Sequence, residues 1–131
     1  MQIEMWDITA VTPYERNPRI NDQAVDAVAR SIQEFGWRQP LVVDEQGVLI
    51  VGHTRLKAAW KLGLRQVPVH VAVGLTPAQV RAYRLADNRT ADLSDWDQDR
   101  LVQEVIDLQK EDYDVSLVGF SADELLDLLH A

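Results

Sequence analysis

The amino-acid sequence predicts an α+β fold, in which a small sheet with flanking helices is followed by a helical extension. Short β-branched apolar runs alternate with helical patterns over the first ninety or so residues. Beyond Asp92 only the helical period remains. The length of 131 residues, 47% of them hydrophobic, is enough for a globular core.

The first third of the chain is predicted to contain a strand, a loop and the clearest helix. Residues 1–11 form a short strand at best, and the prolines in 12–20 indicate a loop. Asn21 or Asp22 can cap the helix, and Gly36 is placed to end it. The helix has one apolar stripe, made of Val25, Val28, Ala29, Ile32 and Phe35.

The middle of the chain predicts a hairpin and a short helix. Leu41–Val43 and residues 48–51 are apolar runs joined by the turn residues 44–47. A helix then runs from about Thr54 to Leu62, with Trp60 facing the core.

A further strand and three helices complete the pattern. Residues 67–73 are β-branched, and Pro68 indicates a strand start or an edge strand. A capping box at Thr76, with Pro77 next, begins a helix that reaches about Asp87. Two amphipathic helices follow, and Ser121 begins the second with another capping box.

The net charge of −8 is unevenly distributed. Residues 1–91 contain eleven Lys or Arg against nine Asp or Glu, whereas residues 92–131 contain two against twelve. We therefore predict two domains, 1–92 and an acidic helical extension, 93–131. The acidic part argues against non-specific DNA binding by the whole chain, because DNA phosphates would be repelled.

Several classes of function are excluded or disfavoured by composition. The absence of cysteine excludes disulfides and thiolate chemistry. No apolar run approaches the roughly 20 residues of a membrane span, and residues 1–10 do not form a signal peptide, so we expect a cytoplasmic protein without membrane contact. The histidines lack metal-ligand spacing, so no metal site is predicted. Trp37, Trp60 and Trp96 are expected to pack in the core or in a lid.

Residues 49–55 place a glycine between a strand and a helix, which is an arrangement that binds anions. The first helical turn leaves backbone N–H groups without partners, and Gly52 lets an anion approach them closely. Thr54 adds a hydroxyl group and Arg55 a guanidinium fork suited to phosphate. An ordinary strand-to-helix turn with a solvated Arg55 is an equally good interpretation of this spacing alone.

A series of short motifs changes this balance. In order they are Asn17-Pro18-Arg19, Ser31-Ile32 with Gly36, Gln39-Pro40-Leu41-Val42-Val43, Gly52-x-x-Arg55-x-x-Ala58-Ala59, Val67-Pro68-Val69 and Asp87-Asn88-Arg89. The series resembles the N-terminal domain of ParB proteins, of the ParB/sulfiredoxin superfamily, over about residues 8–92. The resemblance implies a small mixed sheet and binding of a nucleoside triphosphate, CTP or ATP, with Mg²⁺.

The resemblance also implies roles for individual residues. The Gly52–Arg55 turn would hold the phosphates, with Asn88 and Arg89 near the phosphates or the metal. The segments around Asn17 and Ser31 would close over the nucleotide. The complete set of candidate binding residues is Asn17, Arg19, Ser31, Gln39, Gly52, His53, Thr54, Arg55, Asn88 and Arg89.

The departures from the family pattern favour binding over turnover. ParB-type CTPases have glutamate and arginine where this chain has His53 and Thr54. Sulfiredoxins need a cysteine at the position of His53, and the related serine kinases need an acid at that of Val51. His53 is the one catalytic candidate, as a phosphate donor or general acid, and a structural role is equally open.

Asp92-Leu93-x-Asp95-Trp96 follows Asn88-Arg89. With this segment and its acidic helical extension, the chain resembles the ParB-like domains found in front of phage and mobile-element DNA methyltransferases. A regulatory nucleotide-binding module linked to DNA modification is the function we favour, with DNA, a methyltransferase domain or a second copy of the chain as partners. The alternatives are a metal-dependent nuclease or nucleotidase, and a protein-interaction module with a vestigial pocket.

Overall fold

A computed structural model describes residues 1–17 and 22–130, apart from the side chains of Asp22 and Ala91. The chain divides into two compact units, Met1–Leu93 and Ser94–Ala131. The first contains β1 (Glu4–Asp7), α1 (Asp22–Phe35), β2 (Leu41–Val43), β3 (Leu49–Val51), α2 (His53–Leu62), β4 (Gln66–Val71) and α3 (Pro77–Asp92). The second contains α4 (Gln98–Lys110) and α5 (Ala122–His130). Short 3-10 turns occupy Ile8–Ala10 and Val115–Val118.

The four strands form one mixed sheet in the order β1-β4-β2-β3. The predicted hairpin is present, with β2 antiparallel to β3. β4 is parallel to β2 and antiparallel to β1. Val69 of β4 lies opposite Glu4 on one side and Leu41 on the other. The α+β class and the mixed sheet are therefore confirmed.

The expectation that Pro68 marks a strand start or an edge strand was wrong. β4 lies between β1 and β2, and Pro68 is the third of its six residues. Pairing with β2 begins only at Val69, one residue later. Pro68 can therefore lie in an internal strand, because its missing N–H falls before the ladder with β2 begins.

The core of the first unit lies where the sheet meets α2. Its largest fully buried side chains come from the strands, and α2 adds Leu56 and Ala59. α1 packs mainly on α2, and α3 packs on β3. Trp60 was predicted to face this core, but it does not, because it is 53% exposed. The small residues Ala58 and Ala59 take the inward positions instead.

The predicted capping box begins α3. The backbone N–H of Thr76 donates to the Gln79 side chain at 2.9 Å, and that of Gln79 donates to the Thr76 hydroxyl at 3.1 Å. The helix continues to Asp92 rather than ending near Asp87. Residues 87–92 contain no glycine or proline, so nothing in the sequence stops the helix there.

In the second unit both helices begin at side-chain caps. Asp97 caps α4 by accepting from the Arg100 backbone N–H at 3.2 Å. The predicted box at Ser121 is formed, with Glu124 donating to its hydroxyl at 3.1 Å and accepting from its N–H at 2.9 Å. Trp96 lies 5.7 Å from the Phe120 ring and is 64% exposed, so it is not a core residue. No helix in the described ranges is long and apolar enough to cross a membrane.

Candidate functional site

Gly52 joins β3 to α2 in a conformation that no other residue would adopt easily. Its φ and ψ are 106° and 29°, in the left-handed region. A Cβ at this position would lie 2.5 Å from Cδ2 of Leu41, whose side chain is fully buried. The turn therefore depends on glycine for two separate reasons.

The N-terminus of α2 is a favourable place for an anion. No side-chain hydrogen bond caps this end in the described part of the chain, and its first turn has no acidic residue. The Gly52 carbonyl accepts the first helical hydrogen bond, from Leu56 at 2.9 Å. The N–H groups of this turn and the helix dipole together favour negative charge beside it.

A cavity of about 270 Å³ opens at this turn. α2, α1, α3 and the loop at Asn17 all contribute to its wall. It is lined by Asn17, Ala24, Val28, Ile50, Val51, Gly52, His53, Thr54, Arg55, Asp87 and Asn88. The structure thus brings together six of the ten candidate binding residues that sequence reasoning selected.

Two further candidates line an adjacent cavity of about 150 Å³. Ser31 of α1 and Gln39, which precedes β2, belong to this second cavity. Arg55 and Val28 line both cavities and so mark where the two adjoin. Trp37 also lines this second cavity, and its indole N–H donates to the Gln39 backbone carbonyl.

The last two candidates are not placed in the site. Arg89 is exposed and lines neither cavity. It follows Asn88 in α3, and neighbouring residues of a helix point in different directions. Arg19 lies outside the described residues.

His53 lies at the mouth of α2 with its ring partly buried. Burial lowers the pKa of His53 most, and together with the positive charges of Arg84 and Lys57 it brings this pKa from 6.5 to about 4. Its Nε2 atom is buried and has no hydrogen-bond partner among the described residues. With this pKa the imidazole is neutral at pH 7 and still has one N–H group to donate, so the roles of His53 as a phosphate donor, a general acid or a structural residue stay predictions.

Arg84 is a buried residue that the set of candidate site residues omitted. The residue is only 5% exposed. Its Nε donates to the Leu49 carbonyl at 2.9 Å, its Nη2 lies 3.6 Å from Oδ2 of Asp44, and its guanidinium stacks 3.8 Å over the Tyr14 ring. Arg84 comes four residues after the buried Val80, so the helical period already placed it on the inner face.

Asp87 is a second residue that the candidate set omitted. It lies in α3 and lines the cavity beside Asn88. The Asn88 side-chain amide donates to the Arg84 carbonyl at 2.9 Å, one helical turn earlier. Among residues 1–17 and 22–130 no group of three metal-binding side chains lies together.

Comparison with protein families gives two matches. The model of the ParB N-terminal domain matches residues 1–101. That of the ParB-methyltransferase HTH domain, a helix-turn-helix, matches residues 99–131, where an acidic helical extension was expected.

Curated relatives agree with the first match. The ParB-like nuclease domain-containing protein YnaK of Escherichia coli K12 is 41% identical over 80 residues, which are 60% of this chain and 92% of YnaK. The probable chromosome-partitioning protein ParB of Campylobacter jejuni is 36% identical over 76 residues, 54% of this chain and 27% of that protein. Spo0J of Thermus thermophilus is 32% identical over 107 residues, 77% of this chain and 39% of Spo0J. The chain thus spans less than half of these two partitioning proteins.

Solved structures share the fold. ParB of Caulobacter crescentus, C-terminally truncated and in complex with CTP-γ-S, has a TM-score of 0.79 at 18% identity, covering 98% of this chain and 77% of that one. Sulfiredoxin of Arabidopsis thaliana has a TM-score of 0.53 at 24% identity, covering 63% of this chain and 97% of that one. The predicted ParB/sulfiredoxin-like fold is confirmed.

Proposed function

The chain belongs to the ParB N-terminal domain family, and we propose that its first unit is a regulatory module that binds a nucleoside triphosphate. Family membership indicates a DNA-related role. The observation that carries the proposal is the Gly52 turn, which places the N-terminus of α2 at a cavity that Arg55 also lines.

The phosphates would lie at this turn. Gly52 gives the turn its left-handed backbone, and the first turn of α2 offers N–H groups with the positive end of its dipole. Arg55 lies one turn into the helix, where its guanidinium can bind two phosphate oxygens at once. A ligand with a single carboxylate would leave some of these N–H and guanidinium donors unused, so this end of the cavity favours a polyphosphate.

The nucleoside would extend from the first cavity into the second. A volume of about 270 Å³ is below the ~300–1,000 Å³ typical of ligand pockets, so a nucleotide needs both cavities. Arg55 and Val28 line both cavities, and Ser31 and Gln39 supply polar groups in the second cavity. CTP is the first candidate, since the Caulobacter ParB that shares this fold was solved with CTP-γ-S.

Mg²⁺ fits the same site. It is usually held by one or two carboxylates together with substrate phosphates rather than by an all-protein cage. Asp87 and Asn88 line the phosphate end and would supply the protein oxygens. The bound ion would offset part of the charge of the phosphates.

Binding without turnover is the activity that the chemistry of the turn supports. His53 is neutral at pH 7, so it begins without the proton that a general acid must deliver. A regulatory role beside a DNA methyltransferase follows from the family of residues 99–131. DNA and a second copy of the chain are further partners in this proposal.

Isothermal calorimetry with CTP, ATP and GTP, each with Mg²⁺, tests the proposal. We expect one of them to bind, and Arg55→Ala to weaken binding at least about tenfold, because a charge-assisted hydrogen bond contributes roughly 1.5–3 kcal/mol. Arg81→Ala is the matched control, since Arg81 is exposed and lines neither cavity of the site. Failure of all three nucleotides at millimolar concentration would contradict the proposal.

The same samples separate binding from catalysis. Release of phosphate from the bound nucleotide would show that the protein is a nucleotidase rather than a binding module. Nicking of plasmid DNA with Mg²⁺ or Mn²⁺ would show that it is a nuclease. Either activity should then be lost in His53→Ala if His53 is the catalytic group.

A further inference from the structure

The second unit has an open apolar groove between its two helices. The cavity there measures about 850 Å³, larger than either cavity of the nucleotide site. Leu101, Val102 and Ile106 line it from α4, and Leu128 and Leu129 line it from α5. Trp96 lies in its wall and keeps 64% of its surface exposed.

The rim of this groove is acidic. Asp99 of α4 and Glu124 and Asp127 of α5 line the same cavity as the apolar residues. Residues 94–131 contain eleven Asp or Glu against two Lys or Arg, which are Arg100 and Lys110. The groove is therefore an apolar trough between negative charges.

We propose that this groove binds a basic amphipathic helix of a partner protein. The apolar face of such a helix would cover Trp96 and the leucines, with anchor residues three or four positions apart along it. Its Lys or Arg residues would lie beside Asp99, Glu124 and Asp127. An exposed aromatic residue in an apolar groove is typical of the side chains that contribute most to binding.

Charge distinguishes the proposed basic helix from two other candidate occupants of the groove, which are DNA and a second copy of the unit. DNA is disfavoured although residues 99–131 match a helix-turn-helix family, because a unit with nine more acids than bases repels phosphates. A second copy of the unit is disfavoured because it would place one acidic rim against another. A basic helix satisfies both the apolar floor and the rim.

Titration of the full chain with two synthetic peptides tests the proposal. One is a helical Lys/Leu peptide of about 18 residues, or five turns, with one apolar face. The other has the same composition with its leucines scattered around the helix. We expect the first to bind with an affinity that falls as salt rises, and the second to bind at least about tenfold more weakly.

Variants locate the site. Trp96→Ala should weaken binding of the amphipathic peptide at least about tenfold, because an aromatic anchor buried in an interface is among the side chains that contribute most to binding. The double change Asp99→Asn and Asp127→Asn should weaken it and reduce its salt dependence while leaving the apolar floor intact. Glu104→Gln with Asp112→Asn is the matched control, since it removes two charges outside the groove.

Three results would overturn the proposal. Equal binding of both peptides would mean that charge alone attracts them. An unchanged affinity in Trp96→Ala and in the Asp99/Asp127 variant would place any binding elsewhere. Binding of a DNA duplex that these variants abolish, or concentration-dependent dimerisation that they abolish, would assign the groove to DNA or to a second copy.

Discussion

At the scale of single residues, Gly52 is required both for its left-handed backbone and for its close approach to Leu41, and substitutions can separate these two requirements. Gly52→Ala should lower the free energy of unfolding by about 2–4 kcal/mol, because the new Cβ meets Leu41 at 2.5 Å and φ stays at 106°. Urea denaturation measures this loss.

Gly63→Ala is the control for backbone strain alone. Gly63 has φ 72° at the end of α2, and no atom lies within 4 Å of a Cβ placed there. This variant should lose about 1–2 kcal/mol. Equal losses in the two variants would mean that Leu41 moves away at little cost, and the close approach would then explain nothing.

His53 should make stability depend on pH. Its pKa is about 4 when folded and rises to its ordinary 6.5 on unfolding, so the unfolded chain binds a proton first as the pH falls. Stability should therefore fall between pH 6.5 and about 4, and His53→Gln should flatten that part of the profile. Urea midpoints measured from pH 7 to 5 test this, above the range where the lowered carboxyl pKa values of Asp7, Asp26 and Asp114 contribute. A profile that the substitution leaves unchanged would contradict the shift.

At the scale of elements, Arg84 links α3 to the β2–β3 hairpin through its contacts with Leu49 and Asp44. Arg84→Met should lower the free energy of unfolding by about 3 kcal/mol, because it removes the buried guanidinium that pairs with the Asp44 carboxylate and donates to the Leu49 carbonyl. Thermal or urea unfolding measures the loss. Arg81→Met, three residues earlier on the exposed face, should change stability by no more than about 0.5 kcal/mol. Similar losses in both would mean that α3 is held by its apolar contacts alone.

The elements that the sequence predicted best are those with local signals. The boxes at Thr76 and Ser121 and the stop at Gly36 each depend on residues within one helical turn, and all three are present. The Gly52 turn was likewise visible as a strand, a glycine and a helix start. That Asn88 lies in the same site as the Gly52 turn was predicted from family resemblance alone, because no local sequence pattern indicates that α3 lies beside α2.

The features that were missed depend on tertiary packing. Pro68 gave no sign that β4 would be flanked on both sides, since strand order is not encoded in the strand itself. Trp60 is large and apolar but exposed, whereas its small neighbours Ala58 and Ala59 are fully buried. Arg84 was buried by partners that lie about 35 and 40 residues earlier in the chain.

At the scale of the whole chain, charge and chemistry are divided between the two units. The candidate nucleotide site lies entirely within Met1–Leu93, the unit that has the Lys and Arg excess. The acidic groove lies entirely within Ser94–Ala131. The proposed polyphosphate would bind in the first unit and the proposed basic helix on the second, so the two ligands would not compete for the same surface.

This division predicts where a nucleotide stabilises the chain. At a free concentration about 100 times its Kd, a ligand stabilises the structure that binds it by about 2.7 kcal/mol. Hydrogen exchange with CTP and Mg²⁺ should therefore slow at the Gly52 turn, in α2 and around Asn88, and stay unchanged in α4 and α5. Arg55→Ala should abolish the slowing at the same CTP concentration. Slowing in α4 and α5 that matches the slowing in α2 would show that nucleotide binding is coupled to the acidic unit and would contradict this independence.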